Sequence, residues 1–246
     1  MITVTRLLAD TWALLKSEAD LIGRIAAPFL FLPAFAVRLL ADPLPPLPSS
    51  REQVVIEAWF NSVTIWGQAN AGWYLLADAV GVYGLATLAL LLTDSARPDV
   101  GAALGRAARL SPRFLLASIL VAIPVGLGMW LLILPGLYAR ARLIAALPAL
   151  AAEQPLGAAR SLARSVAMTR GAGWALFGAV VTLFLLQWLA ISPLAPLDAW
   201  LRDPAHLNPV VLALVDAGLA AVSALHHVAI LLLGVVAYRR LASNGI

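Results

Sequence analysis

The sequence predicts an all-α, polytopic membrane protein, a bundle of about six transmembrane helices bordered by amphipathic helices. Three observations predict it. Hydrophobic residues make up 62% of the 246 positions and charged residues only 12%, more apolar surface than a soluble domain of this size can hide. Apolar runs long enough for a hydrocarbon layer of about 30 Å recur along the chain. Arginines fall in short clusters between those runs, the pattern of a positive-inside topology.

The runs cover residues 21–40, 73–93, 114–134, 137–152, 174–191 and 210–237. The fourth is short, starts after Pro135-Gly136 and carries Arg140, Arg142 and Pro148. Those features predict a re-entrant or broken helix. Residues 1–20 are too polar and too long for the basic stub of a secretory signal, so the N-terminus is expected to be retained and residues 1–246 to form a single transmembrane domain. Under six spans, Arg6, Lys16, Arg97, Arg106, Arg109, Arg113, Arg160, Arg164, Arg170, Arg239 and Arg240 fall on one side, and only Arg51 and Arg202 on the other. The basic side is therefore expected to be cytoplasmic, with both termini there, in a bacterial inner membrane. This placement accounts for the formal charge of +4 without nucleic acid as a partner. With no cysteine, disulfides and thiolate metal sites are excluded.

Three basic-side segments, 1–20, 97–112 and 154–170, are predicted amphipathic helices. Val4, Leu7, Leu8, Trp12 and Leu15 oppose Arg6, Asp10 and Ser17; Val100, Ala103, Leu104 and Ala107 oppose Asp99, Arg106, Arg109 and Arg113. In the third, Leu156, Ala159, Ala163 and Val166 oppose Arg160, Ser161 and Arg164. Each precedes a pair of spans, and DVGAALGRAAR is like PLGAARSLARS. A threefold internal repeat would produce this, as would the abundance of alanine and arginine.

Pro135 and Gly136, Tyr138 and Arg142, Pro148 and Glu153, then Ala163, Arg164, Ser165, Thr169, Arg170, Gly171 and Trp174 follow one another over residues 134–174. In order and spacing this stretch resembles the bacterial membrane domain that occurs fused to glycerophosphoryl diester phosphodiesterases and in uncharacterised inner-membrane relatives. The resemblance covers about a sixth of the chain. It implies a helical inner-membrane domain, with Pro135, Gly136, Arg142, Glu153, Ser165 and Gly171 as its motif. It does not extend to the hydrolase, whose metal and acid–base residues need a polar domain that is missing here.

Ionisable groups inside spans are costly and mark pairing or functional positions. Asp78, Asp216, Arg140 and Arg142 are expected at one depth near the outer surface, with Asp78 or Asp216 facing Arg142. Arg140 lies about 200° round the helix from Arg142. Arg24 and Arg38 are expected to snorkel at span ends. Asp216, Ser223 and His227 share a helical stripe that could relay protons. Three histidines give no metal spacing, and the serines lack a nucleophile elbow, so no catalytic residue, cofactor or metal is expected. The leading expectation is a non-enzymatic, membrane-organising or lipid-interacting protein. Arg106, Arg109, Arg160, Arg164 and Arg170 would contact anionic lipid headgroups, and a second copy or another membrane protein is a possible partner. The alternative is a small transporter whose polar path is Asp78, Arg140, Arg142, Asp216 and His227.

Reporter fusions after Pro48, Arg109, Arg164 and Ile246 test the topology. The expected order is outside, inside, inside, inside, and any other order contradicts six spans.

Overall fold

The computed structural model describes residues 2–48, 50–94 and 99–243. Among them helices dominate and strands are absent. The elements are α1 (Val4–Ser17), α2 (Ala19–Ala26), α3 (Leu32–Leu40), α4 (Gln53–Thr93), α5 (Val100–Leu131), α6 (Ile133–Leu143), α7 (Ala146–Ala152), α8 (Ala158–Met168), α9 (Gly173–Ile191), α10 (Leu194–Leu201) and α11 (Pro209–Ser243). Six stretches are long and apolar enough to cross a membrane: Ala19–Leu40, α4, α5, Ile133–Ala152, Gly173–Leu201 and α11. The chain is thus built as a multi-pass membrane protein.

Helix α11 is the post around which the others pack. It carries apolar residues on every side, and all of its buried residues lie between Val215 and Ala237. Its faces enter both large clusters. One joins it to α2, α4, α5 and α7, the other to α1, α6 and α9. Close approach depends on small residues, as in lipid-embedded bundles generally. A Cβ on Gly234 would stand 2.4 Å from the Ile144 carbonyl oxygen, and one on Gly136 2.5 Å from the Met129 nitrogen at the α5–α6 hairpin.

The fourth span is broken. Pro148 has no N–H to offer the carbonyl of Ile144 and its ring clashes there, so α6 ends and α7 begins across a turn at Ile144 and Ala145. In lipid the freed backbone groups need partners. The Ser165 hydroxyl supplies them, accepting from the Ala145 N–H at 3.2 Å and donating to the Arg142 carbonyl at 2.9 Å. Prolines also interrupt the first span, where Pro28 lies within a π-helical turn over Ala27–Phe31 and Pro33 just after it.

Four elements depart from the sequence reading. Helix α4 starts twenty residues before the expected span, because nothing between Gln53 and Gly72 breaks a helix except two glycines. At 1.5 Å per residue its length is about twice the hydrocarbon thickness, so one end extends beyond the spans. The amphipathic segment expected at 97–112 is continuous with the third span in α5, with Pro112 inside the helix; its residue 97 lies outside the described residues. In α8 the buried face is not the alanine and valine stripe but Ala158, Ser161 and Ser165. These small side chains meet α5 and α7, which aliphatic ones would hold farther away, and Val166 is left 37% exposed. Similarly, α1 buries Leu7 and Thr11 against the bundle and turns Trp12 outward.

At the arginine-rich end, ion pairs tie the elements together. Arg240 pairs with Asp10, and Arg106 with Asp94 at 2.8 Å. Arg164 holds Glu153 at 3.0 Å, and the Tyr238 hydroxyl donates to the same carboxylate. The family-like motif is thereby placed. Pro135 and Gly136 lie in the first turn of α6, where Gly136 packs against Met129 of α5, Ser165 bridges the break after Arg142, Glu153 joins α7 to α8 and α11, and Gly171 takes a left-handed φ of 82° before α9.

Candidate functional site

Polar side chains within the spans gather at two places. At the end away from the arginine-rich one, Asp216 of α11 is 1% exposed and accepts from two arginines. Arg202, just past α10, reaches its two oxygens at 2.9 and 3.2 Å, and Arg38 of α3 reaches Oδ1 at 3.2 Å. Arg202 also pairs with Asp198 one helical turn earlier, at 3.1 Å. Two cations and two anions thus form a neutral cluster clasping α3, α10 and α11. A single charge at the centre of a span costs roughly 2.5–3.5 kcal/mol, so mutual neutralisation is what lets these groups lie inside the bundle.

The second place is a cavity of about 830 Å³ enclosed by α3, α4, α5, α6, α7, α10 and α11. Its walls are mostly aliphatic, with Arg38, Asp78, Arg140, Arg202, Ser223 and His227 as its main polar groups. Leu75 of α4 and Ile119 of α5 line it and are themselves 69% and 56% exposed. Apolar side chains of α4 and α5 that the bundle leaves uncovered therefore border the cavity. A smaller cavity of about 240 Å³ adjoins it, lined by Arg140, Gln187, His226 and His227 among apolar groups that include Met129 and Phe184. Arg140 and His227 line both spaces.

The expected polar cluster is partly assembled. Asp78, Arg140 and His227 share the large cavity. Asp216 does not face Arg142, and neither does Asp78. Asp216 is taken by Arg38 and Arg202, so Arg38 is not a snorkelling residue without a partner. Arg142 lies on the other face of α6, toward the arginine-rich end, where α8 and the turn into α9 fold back beside it. There it donates to the Val166 carbonyl at 2.7 Å, and its Nε is buried without a partner. Within the stripe of Asp216, Ser223 and His227, the described hydrogen bonds do not link the carboxylate to the imidazole. His227 donates from Nδ1 to the Ser223 carbonyl at 2.8 Å, leaving Nε2 as its other ring position. Among the described residues, Asp78 and Arg140 make no hydrogen bond or ion pair.

Of the five arginines assigned to lipid, Arg106 and Arg164 are held by acids. Arg109, Arg160 and Arg170 are exposed, and Arg109 bonds only the Gly105 carbonyl one turn back. Among the described residues, no three His, Cys, Asp or Glu side chains converge where they could hold a metal ion. No known protein family, characterised protein or solved structure matches this chain.

Sequence reasoning missed Arg38, Arg202 and Gln187. The first two share the predicted depth of Asp216, which is the signal that pairs them. Gln187 is the lone amide in the apolar run of α9.

Replacing Asp216 by Asn leaves Arg38 without its carboxylate and Arg202 with Asp198 alone. Because both keep partial exposure, the expected loss is about 3 kcal/mol, the lower end for breaking a buried pair. Thermal unfolding in detergent checks it. Asp78→Asn, with no partner to lose, should leave the midpoint unchanged, and equal behaviour of the two variants contradicts the pairing.

Proposed function

We propose that this chain is a non-enzymatic inner-membrane protein of bacterial type, with both termini cytoplasmic, that binds membrane lipid. The observation that carries this reading is the large, mostly aliphatic cavity bordered by exposed Leu75 of α4 and Ile119 of α5. An apolar recess of this volume, with a few convergent polar groups, has the size and character of a small-molecule site. Its border includes side chains that face lipid in a membrane-spanning bundle, so its natural visitors come from the bilayer rather than from water. Arg109, Arg160 and Arg170, exposed and without acidic partners, support the same reading. Near an anionic leaflet each contributes about 1 kcal/mol of attraction. The resemblance of residues 134–174 to a membrane domain associated with lipid-headgroup hydrolases agrees with it.

A second reading, a small permease, is favoured by one observation: the large cavity continues past Arg140 and His227 into the smaller one. A permease gives substrate flux in proteoliposomes that Arg140→Gln abolishes, whereas a protein that only binds lipid gives none.

Ala122 lines the large cavity from α5 and is exposed within it. A tryptophan there should fill space that lipid would use without disturbing a packed contact. Ala122→Trp is expected to lower the lipid retained per protein by at least half after delipidation, read by native mass spectrometry, with the unfolding midpoint unchanged. Unaltered retention would overturn the cavity as a lipid site.

A further inference from the structure

The two cavities differ in their charge as well as their size. The large one carries three carboxylates, Asp42, Asp78 and Asp198, alongside Arg38, Arg202 and, where it borders the small one, Arg140. Arg38 and Arg202 are committed to Asp216, and the unpartnered Asp78 disfavours an anion in that space. The small one has no acidic residue. Its polar lining is Arg140, Gln187, His226 and His227, of which the guanidinium and the amide have hydrogen-bond donors to offer, while His227 gives its Nδ1–H to the Ser223 carbonyl. Arg140 is the telling residue. It sits within a span, two turns from the start of α6, without a hydrogen bond or ion pair among the described residues. An arginine at such a depth is costly unless something compensates its charge. Its neighbour Arg142 is compensated by the Val166 carbonyl, but no protein group is supplied for Arg140.

We infer that Arg140, Gln187, His226 and His227 form a binding site for the acidic headgroup of an amphipathic anion whose hydrocarbon lies in the adjoining large cavity. The ligand class is a lipid with a phosphodiester or carboxylate head. Arg140 supplies the charge and a planar pair of donors suited to either oxyanion. Gln187 adds an amide donor beside it, while His227, whose Nδ1–H is given to the Ser223 carbonyl, lines the space without adding to the donors. Because Arg140 and His227 border both spaces, a head bound there leaves its chain beside the aliphatic walls leading toward Leu75 and Ile119. This rests on the lipid-binding reading above and adds to it a headgroup preference and a location.

The test uses the full-length protein, delipidated in a non-ionic detergent and titrated with phosphatidylglycerol or phosphatidylcholine. Binding is read by native mass spectrometry and by the shift in thermal midpoint. The unmodified protein is expected to prefer phosphatidylglycerol by at least 10-fold. Arg140→Gln should bring that preference within 2-fold while leaving phosphatidylcholine binding in place. It should not lower the midpoint of the lipid-free protein, since it removes a charge that no protein group compensates. Gln187→Leu should weaken phosphatidylglycerol binding several-fold, and Arg140→Lys should retain part of the preference.

A preference that survives Arg140→Gln but disappears in a combined Arg109→Gln, Arg160→Gln, Arg170→Gln variant would overturn the inference and place selectivity at the arginine-rich surface. Equal binding of both lipids by the unmodified protein would also overturn it, while leaving the lipid reading intact. If neither lipid binds, the lipid reading itself fails. Inorganic phosphate supplies the last arm: if it binds as tightly as phosphatidylglycerol and depends equally on Arg140, the ligand is a water-soluble anion and the amphipathic assignment is wrong.

Discussion

A charge placed among lipid-facing helices must find an opposite charge, a set of polar partners, or a space of its own, and this bundle shows all three solutions. Asp216 is neutralised by Arg38 and Arg202, which draws three helices together at one end. Arg142 is accommodated by a backbone carbonyl made available where α8 turns into α9. Arg140, two residues away and on the other face of the same helix, borders a cavity instead. The contrast between these neighbouring arginines organises the proposed function. One is spent on structure and the other is left for something the chain does not provide.

The same constraint governs the backbone. Pro148 breaks the fourth span, and the groups it frees would be intolerable in lipid without partners. Ser165 satisfies them from α8, which explains why that helix buries hydroxyls and alanine rather than its more apolar stripe. Helix α8 is therefore part of the repair of the fourth span, while Ala159, Ala163 and Val166 are left facing outward. Gly234 allows the broken segment to seat closely against α11, where a larger residue would collide with the Ile144 carbonyl.

Much of this was legible in the sequence because hydropathy and charge asymmetry act over whole segments. The six apolar stretches, the broken fourth span and the shared depth of opposite charges could all be read from composition and from Pro148. Pairings could not, because they depend on which helices become neighbours. Asp216 had Arg38, Arg142 and Arg202 as candidate partners, and only the packing of α3 and α10 on α11 selects two of them. The stripe in α8 misled for a related reason. In a membrane protein the greasier face can point toward lipid while the smaller, hydroxyl-bearing face packs inside. The extension of α4 was obscured by polar residues such as Asn61, Gln68 and Asn70, which end a hydrophobic run without ending a helix.

If lipid enters the cavity beside Arg140, a probe placed inside it must meet solutes that dissolve in the hydrocarbon of the bilayer. The chain has no cysteine, so a single one at Ser118, which lines the cavity from α5, can carry a nitroxide spin label without background. In liposomes, power-saturation electron paramagnetic resonance should show strong relaxation by oxygen, which concentrates in lipid, and weak relaxation by a water-soluble nickel chelate. Strong relaxation by nickel, or none by either reagent, would contradict the account.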